Sequence, residues 1–118
     1  MIDLSIIIVS WNVADLLAAC LRRMTAGQVS FDSGTDSVHV EAIVVDSAST
    51  DGSVALVAEQ FPHVRLLPQT ENLGFVRCNN IGLQAAQGRY VMLLNPDTEI
   101  IGDALAQMVA YLDAHPDV

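Results

Sequence analysis

The chain has 118 residues, 52% of them hydrophobic, and carries 5 Lys plus Arg against 14 Asp plus Glu for a formal net charge of −9. That length suits one domain, residues 1–118, with a real core, and the apolar content rules against a disordered or fibrous chain. The acidic balance argues against nucleic acid as a partner, because no basic patch opposes a phosphate backbone. A small phosphate ligand remains compatible, since backbone N–H groups or a divalent cation can supply a local positive field.

In chain order, "LSIIIVS" (Leu4 to Ser10) is a short run dominated by β-branched residues, as expected of a strand buried on both faces of a parallel sheet. A helix follows in "NVADLLAACLRRMTA", where Leu16, Leu17, Cys20, Leu21 and Met24 recur at helical spacing, Asn12 is placed to cap the start and Gly27 to end it. The Ser-, Asp- and Gly-rich stretch 28–39 reads as a surface loop, and "VEAIVVD" (Val40 to Asp46) as a second buried strand. After the polar turn "SASTDGS", "SVALVAEQF" is a short amphipathic helix and "VRLLP" a third strand. "GFVRCNNIGLQAAQG" is a helix stopping near Gly88, "RYVMLLN" a fourth strand, and 101–115 a last helix with Leu105, Met108, Val109 and Leu112 on one face. Strands alternating with helices imply an α/β fold of βαβ units around a mainly parallel sheet.

The two cysteines, Cys20 and Cys78, lie far apart without CxxC spacing and read as reduced core thiols. The apolar start "MIDLSIIIVSW" contains Asp3, lacks a basic leader and is too short to span a bilayer. A cytoplasmic location is the resulting expectation. His39, His63 and His115 show no metal-ligand spacing.

Ligands of such sheets bind outside the carboxyl ends of the strands, where strand order reverses. The polar groups expected there are Ser10, Trp11 and Asn12 after the first strand, Asp46, Ser49 and Asp51 after the second, and Asn95 and Asp97 after the fourth. Each has a plainer alternative. Asp, Ser, Thr and Gly are what turns and helix starts prefer; "NLGF" with Asn72 and Gly74 can be a simple turn; Trp11 can cap the core or stack on a base; Arg77 can pair with a diphosphate or a surface acid, the latter being commoner. One of Asn79 and Asn80 is expected to reach the crevice. Asp97 can hold Mg²⁺ or Mn²⁺ against a diphosphate or cap the last helix, and its local spacing alone favours the cap.

Taken together and in order, "SIIIVSWN", "VEAIVVDSASTDGS" and "NLGFVRCNNIGLQAAQGRYVMLLNPDTEI" resemble the nucleotide-binding half of family 2 inverting glycosyltransferases, especially the rhamnosyltransferase-like branch. The resemblance covers nearly the whole chain except the loop around 28–37. It implies a GT-A-type, Rossmann-like three-layer sandwich, incomplete in 118 residues, that binds a dTDP- or UDP-sugar and passes the sugar to a glycan or lipid-linked acceptor hydroxyl. Residue by residue, it implies that Ser10 to Asn12 border the base, Asp46 contacts a ring nitrogen, Asp51 supports the pocket with Ser49 beside it, and the helix after Asn72 and Gly74 lines the crevice with Asn79 or Asn80. "NPD" stands where the family has Asp-x-Asp, so Asp97 is the implied ligand of Mg²⁺ or Mn²⁺ and Asn95 replaces the first carboxylate. No residue matches a catalytic base or an acceptor site, so a truncated piece, inactive alone, is expected, with the full-length protein in the cytoplasm or at the inner face of a membrane. Such a half-domain exposes apolar surface through which copies can form a homo-oligomer. The other reading is a non-catalytic α/β binding module of flavodoxin-like or receiver-like shape, against which stand the missing acidic pair after the first strand and the absence of any Lys.

Overall fold

The computed structural model of the chain describes residues 2–26, 39–100 and 104–117. Eight elements alternate: β1 (Leu4–Ser10), α1 (Ala14–Ala26), β2 (Val40–Asp46), α2 (Ser53–Gln60), β3 (Arg65–Pro68), α3 (Phe75–Ala85), β4 (Tyr90–Leu94) and α4 (Ala104–Ala114). All pairings are parallel, in the order β3-β2-β1-β4. The chain thus walks from β1 to β3 in one direction and then crosses back over β1 to lay down β4 on its other side.

β1 and β2 sit at the centre of the sheet, which is why their sequences are apolar almost throughout. Ile6 and Ile8 of β1 and Val40, Ala42 and Val44 of β2 face a core shared with Leu17, Leu21 and Met24 of α1, Val57 of α2, and Leu105 and Val109 of α4. The opposite face of β2 presents Ile43 and Val45 to Cys78 of α3, with Val9 and Ile81 packed beside them. The result is a three-layer sandwich, with α1, α2 and α4 on one face and α3 on the other. The close approach of α3 depends on Gly82, where an added Cβ would lie 2.4 Å from Ile7 Cγ2.

The expected elements are present, with shorter ends: β3 begins at Arg65, β4 spans Tyr90–Leu94 and α3 starts at Phe75. Gly27, residues 28–38 of the expected loop and the 101–103 start of the last helix lie outside the described residues. One local expectation is corrected. Asn12 does not cap α1, because its backbone is left-handed (φ 53) and its side chain turns to the β2–α2 loop, where Oδ1 accepts from Thr50 N at 2.8 Å. Asp51 of that loop does the capping instead, its Oδ2 accepting from Ala14 N at 3.0 Å. Cys20 and Cys78 are both free thiols, buried on opposite faces of the sheet. Among the described residues, no helix is long and apolar enough to cross a membrane.

β4 forms one edge of the sheet and keeps apolar side chains in the open, Val91 at 43% and Leu93 at 51% exposure.

Candidate functional site

The carboxyl end of the sheet is built by loops that hold one another. Asn12 N donates to Ser49 Oγ at 2.9 Å, and Ser49 Oγ in turn donates to Asp46 Oδ1 at 2.7 Å. Asp46 Oδ2 accepts from Ser49 N at 2.8 Å. Asp51 accepts from Ser53 N at 3.1 Å and from the Ser53 hydroxyl, and that hydroxyl bond, followed by the Ala14 N–H, holds the Asp51 carboxyl below its ordinary value. These short loops keep two non-glycine residues, Asn12 and Ala48, at positive φ (53 and 61), a conformation that costs about 1 kcal/mol or more for a residue like Ala. The loop bonds that span the two loops are what offset that cost.

A second set of bonds ties this rim to α3. Ser47 Oγ donates to Asn72 Oδ1 at 2.7 Å and accepts from Leu73 N at 3.0 Å. Asn72 Oδ1 also accepts from Gly74 N at 3.2 Å. Gly74 precedes the helix with φ 83 and ψ 172, outside what an L side chain readily adopts, and no side chain caps the helix. The first N–H groups of α3 therefore point past the rim without helix partners.

Between β1, β4 and α3 lies a cleft of about 380 Å³, lined by Val9, Trp11, Val13, Ser47, Asn72, Gly74, Phe75 and Pro96. It opens at the place where strand order reverses, on the α3 face of the sheet, and its size suits a small-molecule site. Trp11 and Phe75 are 54% and 59% exposed, so two aromatic faces are free to meet a flat ligand. A larger groove of about 580 Å³ runs between β4 and α4 past Met92, Met108 and Tyr111. Both are mainly apolar, and it is the position of the smaller cleft, at the carboxyl ends of the strands where strand order reverses, that makes it the candidate site.

Strand alternation decides which of the expected residues reach this cleft. Trp11 follows Val9 onto the α3 face, and Asn95 follows Leu93 there and is exposed. Ser10 follows Ile8 to the other face, where its Oγ is sealed without a hydrogen-bond partner. Asp46 follows Val44 to that same face, is 1% exposed, and spends both oxygens on Ser49. Asn12, Ser49 and Asp51 frame the rim from the α1 side. Of the paired asparagines, Asn79 turns inward at 6% exposure and Asn80 faces solvent. Ser47 was not anticipated, and its position one residue after the buried strand was the only signal that could have marked it.

Beyond β4, Pro96 touches the cleft and Asp97 is exposed, with no hydrogen bond or ion pair among the described residues. Glu99 pairs with Arg23 of α1 at 3.4 Å. This segment passes close over Cys20, whose thiol is pushed up to about 11 by burial, with Glu99 and Asp97 adding to it. Among the described residues, no cluster of three or more His, Cys, Asp or Glu is placed to hold a metal.

The family model described as "Glycosyl transferase family 2" matches residues 5–118. Over 113 residues the chain is 32% identical to the succinoglycan biosynthesis protein ExoO of Rhizobium meliloti, covering 95% of this chain and 30% of that protein. It is 33% identical over 100 residues to YibD of Escherichia coli, described as an uncharacterized glycosyltransferase, covering 82% of this chain and 26% of that one. Among solved structures, the mannosyltransferase PcManGT of Pyrobaculum calidifontis, in complex with GDP-Man and Mn²⁺, superposes with a TM-score of 0.80 at 32% identity over 98% of this chain and 33% of its own. TarS of S. aureus in complex with UDP superposes with a TM-score of 0.82 at 22% identity, over 98% of this chain and 33% of its own, a likeness of fold. The chain thus spans about a third or less of the length of the relatives it matches. The α/β sandwich with its parallel sheet is of the GT-A type.

Proposed function

On the premise that the chain belongs to glycosyl transferase family 2, we propose that the α3-face cleft binds the nucleoside diphosphate of an activated sugar. The single observation that carries this reading is the cleft itself: two exposed aromatic side chains with Ser47 and Asn72 beside them, next to the uncapped start of a helix, at the carboxyl ends of parallel strands. The nucleotide complexes of TarS and the GDP-Man complex of the mannosyltransferase support it. In the longer protein the bound sugar passes to an acceptor hydroxyl with inversion, and the base that deprotonates this hydroxyl lies outside the residues of this chain.

Within the chain, Trp11 and Phe75 hold the ring of the nucleotide between them. Ser47 and Asn72 fix the turn into α3 that closes the cleft. Asn12, Ser49, Asp46 and Asp51 act by keeping the two rim loops in place.

Asp97 is the proposed metal ligand. A single exposed carboxylate builds no closed cage, but Mg²⁺ and Mn²⁺ sites of this kind commonly take one or two carboxylates, with the rest of the shell from diphosphate oxygens and water, so the residue present fits a shared site. A cation so held would supply Lewis-acid stabilisation of the departing diphosphate. Asn95 in place of a second carboxylate lowers the charge of the site and is the departure that supports the rhamnosyltransferase-like branch.

Calorimetric titration with UDP, dTDP and GDP, each with and without Mn²⁺, tests the reading. Saturable binding, tightened by Mn²⁺ in the wild type and no longer tightened in Asp97→Ala, is the expected result. Flat titrations with folded protein would overturn it in favour of a non-catalytic binding module.

A further inference from the structure

The strap from Asn95 to Glu99 carries the proposed metal ligand, yet little fixes where its middle lies. Its two flanks are anchored, Leu94 and Ile100 each being 7% exposed in the core that α1 shares with β1 and β2. Between them, a turn bond from Thr98 N to Asn95 O at 3.0 Å stiffens the strap internally, and Pro96 rests against the cleft. Asn95 and Asp97 make no side-chain hydrogen bond or ion pair among the described residues.

Among those residues the strap has one polar side-chain tie to the rest of the fold. Glu99 Oε2 meets Arg23 Nε of α1 at 3.4 Å. Arg23 stands in the last turn of α1, one turn beyond Cys20, where a cation also suits the helix dipole. The Cys20 thiol is pushed up by burial first and then by Glu99 and Asp97, so both acids lie near this part of α1. Arg23 is thus the cation that α1 sets against an acidic strap.

An ion pair open to solvent on both sides, as this one is, adds little to overall stability. Here a small energy is enough. With both flanks held, the pair has only to favour one placement of the middle over others, and a preference of about threefold is within the range of exposed pairs. Without that preference, a cation would first have to select the placement of Asp97 that suits it, and its apparent affinity would fall by the fraction so placed.

We infer that Arg23 is a positioning residue, which holds Glu99 against α1 and so sets Asp97 where one cation can join it to the diphosphate. This inference rests on the reading of Asp97 as a metal ligand. The charge of Arg23 acts in the opposite sense, because a guanidinium near the strap repels a divalent cation. Placement and charge therefore predict effects of opposite sign, and the two can be separated.

The test is a double-mutant cycle on the intact chain: Arg23→Gln, Glu99→Gln, both together, and Arg23→Lys. Calorimetry with UDP is run without metal and with Mn²⁺, and the quantity read is the factor by which Mn²⁺ tightens UDP. Each single Gln variant should lower that factor about threefold, and the double variant should lose no more than either single, because one interaction has gone. Arg23→Lys, which can still pair with Glu99, should stay near wild type, and UDP affinity without metal should match wild type throughout. If charge alone mattered, Arg23→Gln would raise the factor and Glu99→Gln would lower it. That divergence, an unchanged factor in both single variants, additive losses in the double variant, or a parallel loss of metal-free UDP affinity would each overturn the inference while leaving the metal reading standing. A wild type whose UDP binding Mn²⁺ does not tighten would remove the metal reading of Asp97 and this inference with it.

Discussion

The two ends of the sheet use the same kinds of polar residue in opposite ways. At the amino end, Glu41 is 8% exposed and fully engaged: it accepts from Ser5 Oγ at 2.5 Å, from Gln87 N at 2.7 Å and from Arg65 Nη1 at 3.4 Å. Ser5 Oγ also accepts from Gly88 N at 2.8 Å, so the α3–β4 turn is clasped to β1 and β2 at once. Asp3 and Asp113 share Arg89 in the same way, at 2.9 and 2.8 Å. At the carboxyl end the loops are clasped too, yet the exposed Asn95 and Asp97 make no side-chain hydrogen bond among the described residues, and Pro96 between them lines the cleft. A polar cluster whose members satisfy one another holds the fold together. One that leaves members unsatisfied beside a cavity is built for something that arrives later.

If that contrast is right, substitutions at the amino end should damage stability far more than binding. Gly88→Ala should do the most, because a Cβ there would stand 2.7 Å from Ser5 N and 2.9 Å from Leu4 C, backbone atoms that cannot step aside. A loss of about 3 kcal/mol is expected from such overpacking, read as a lower urea midpoint. Glu41→Ala should follow at about 2 kcal/mol, since it strands the buried Ser5 hydroxyl and the Gln87 N–H. In both variants the fraction that remains folded should bind UDP as wild type does. A folded Glu41→Ala protein with weakened nucleotide affinity would show that the two ends are not independent.

A smaller effect separates one acid from each end. Asp3 is held below its ordinary value by the His39 N–H first and Arg89 second, and Asp51 by the Ser53 hydroxyl first. A carboxyl whose folded value is depressed contributes stability above its unfolded value of about 3.9 and loses it as pH falls through the folded value, so the urea midpoint should hold from neutrality down and drop below about pH 4. Asp3→Asn and Asp51→Asn should each make that drop shallower. Only Asp51→Asn should also weaken nucleotide binding at neutral pH, because Asp51 fixes the start of α1 beside the cleft.

How much of this was visible in the sequence follows from the same geometry. Elements were legible wherever burial imposed a period: β1 and β2 as continuous apolar runs, α1 and α4 as stripes. Three of the residues expected at the rim, Trp11, Asn72 and Gly74, do line one cleft. What could not be read was the face on which each strand-end residue emerges. A strand buried on both sides has no polar alternation to reveal its phase, so Ser10 and Asp46 looked equivalent to Trp11, and Ser47 passed unnoticed. The cap of α1 was missed for a related reason: Asp51 reaches it across 37 positions of sequence, a contact that no local spacing records.

The most direct test of the whole account is the location of the ligand, by backbone amide chemical shifts recorded while UDP is titrated into the intact chain. Shifts concentrated at Trp11, Ser47 and residues 72–79, with Glu41, Gln87 and Gly88 unmoved, are the predicted result. Shifts centred on the β4–α4 groove or on the amino-end clasp, or no shifts at all, would contradict it.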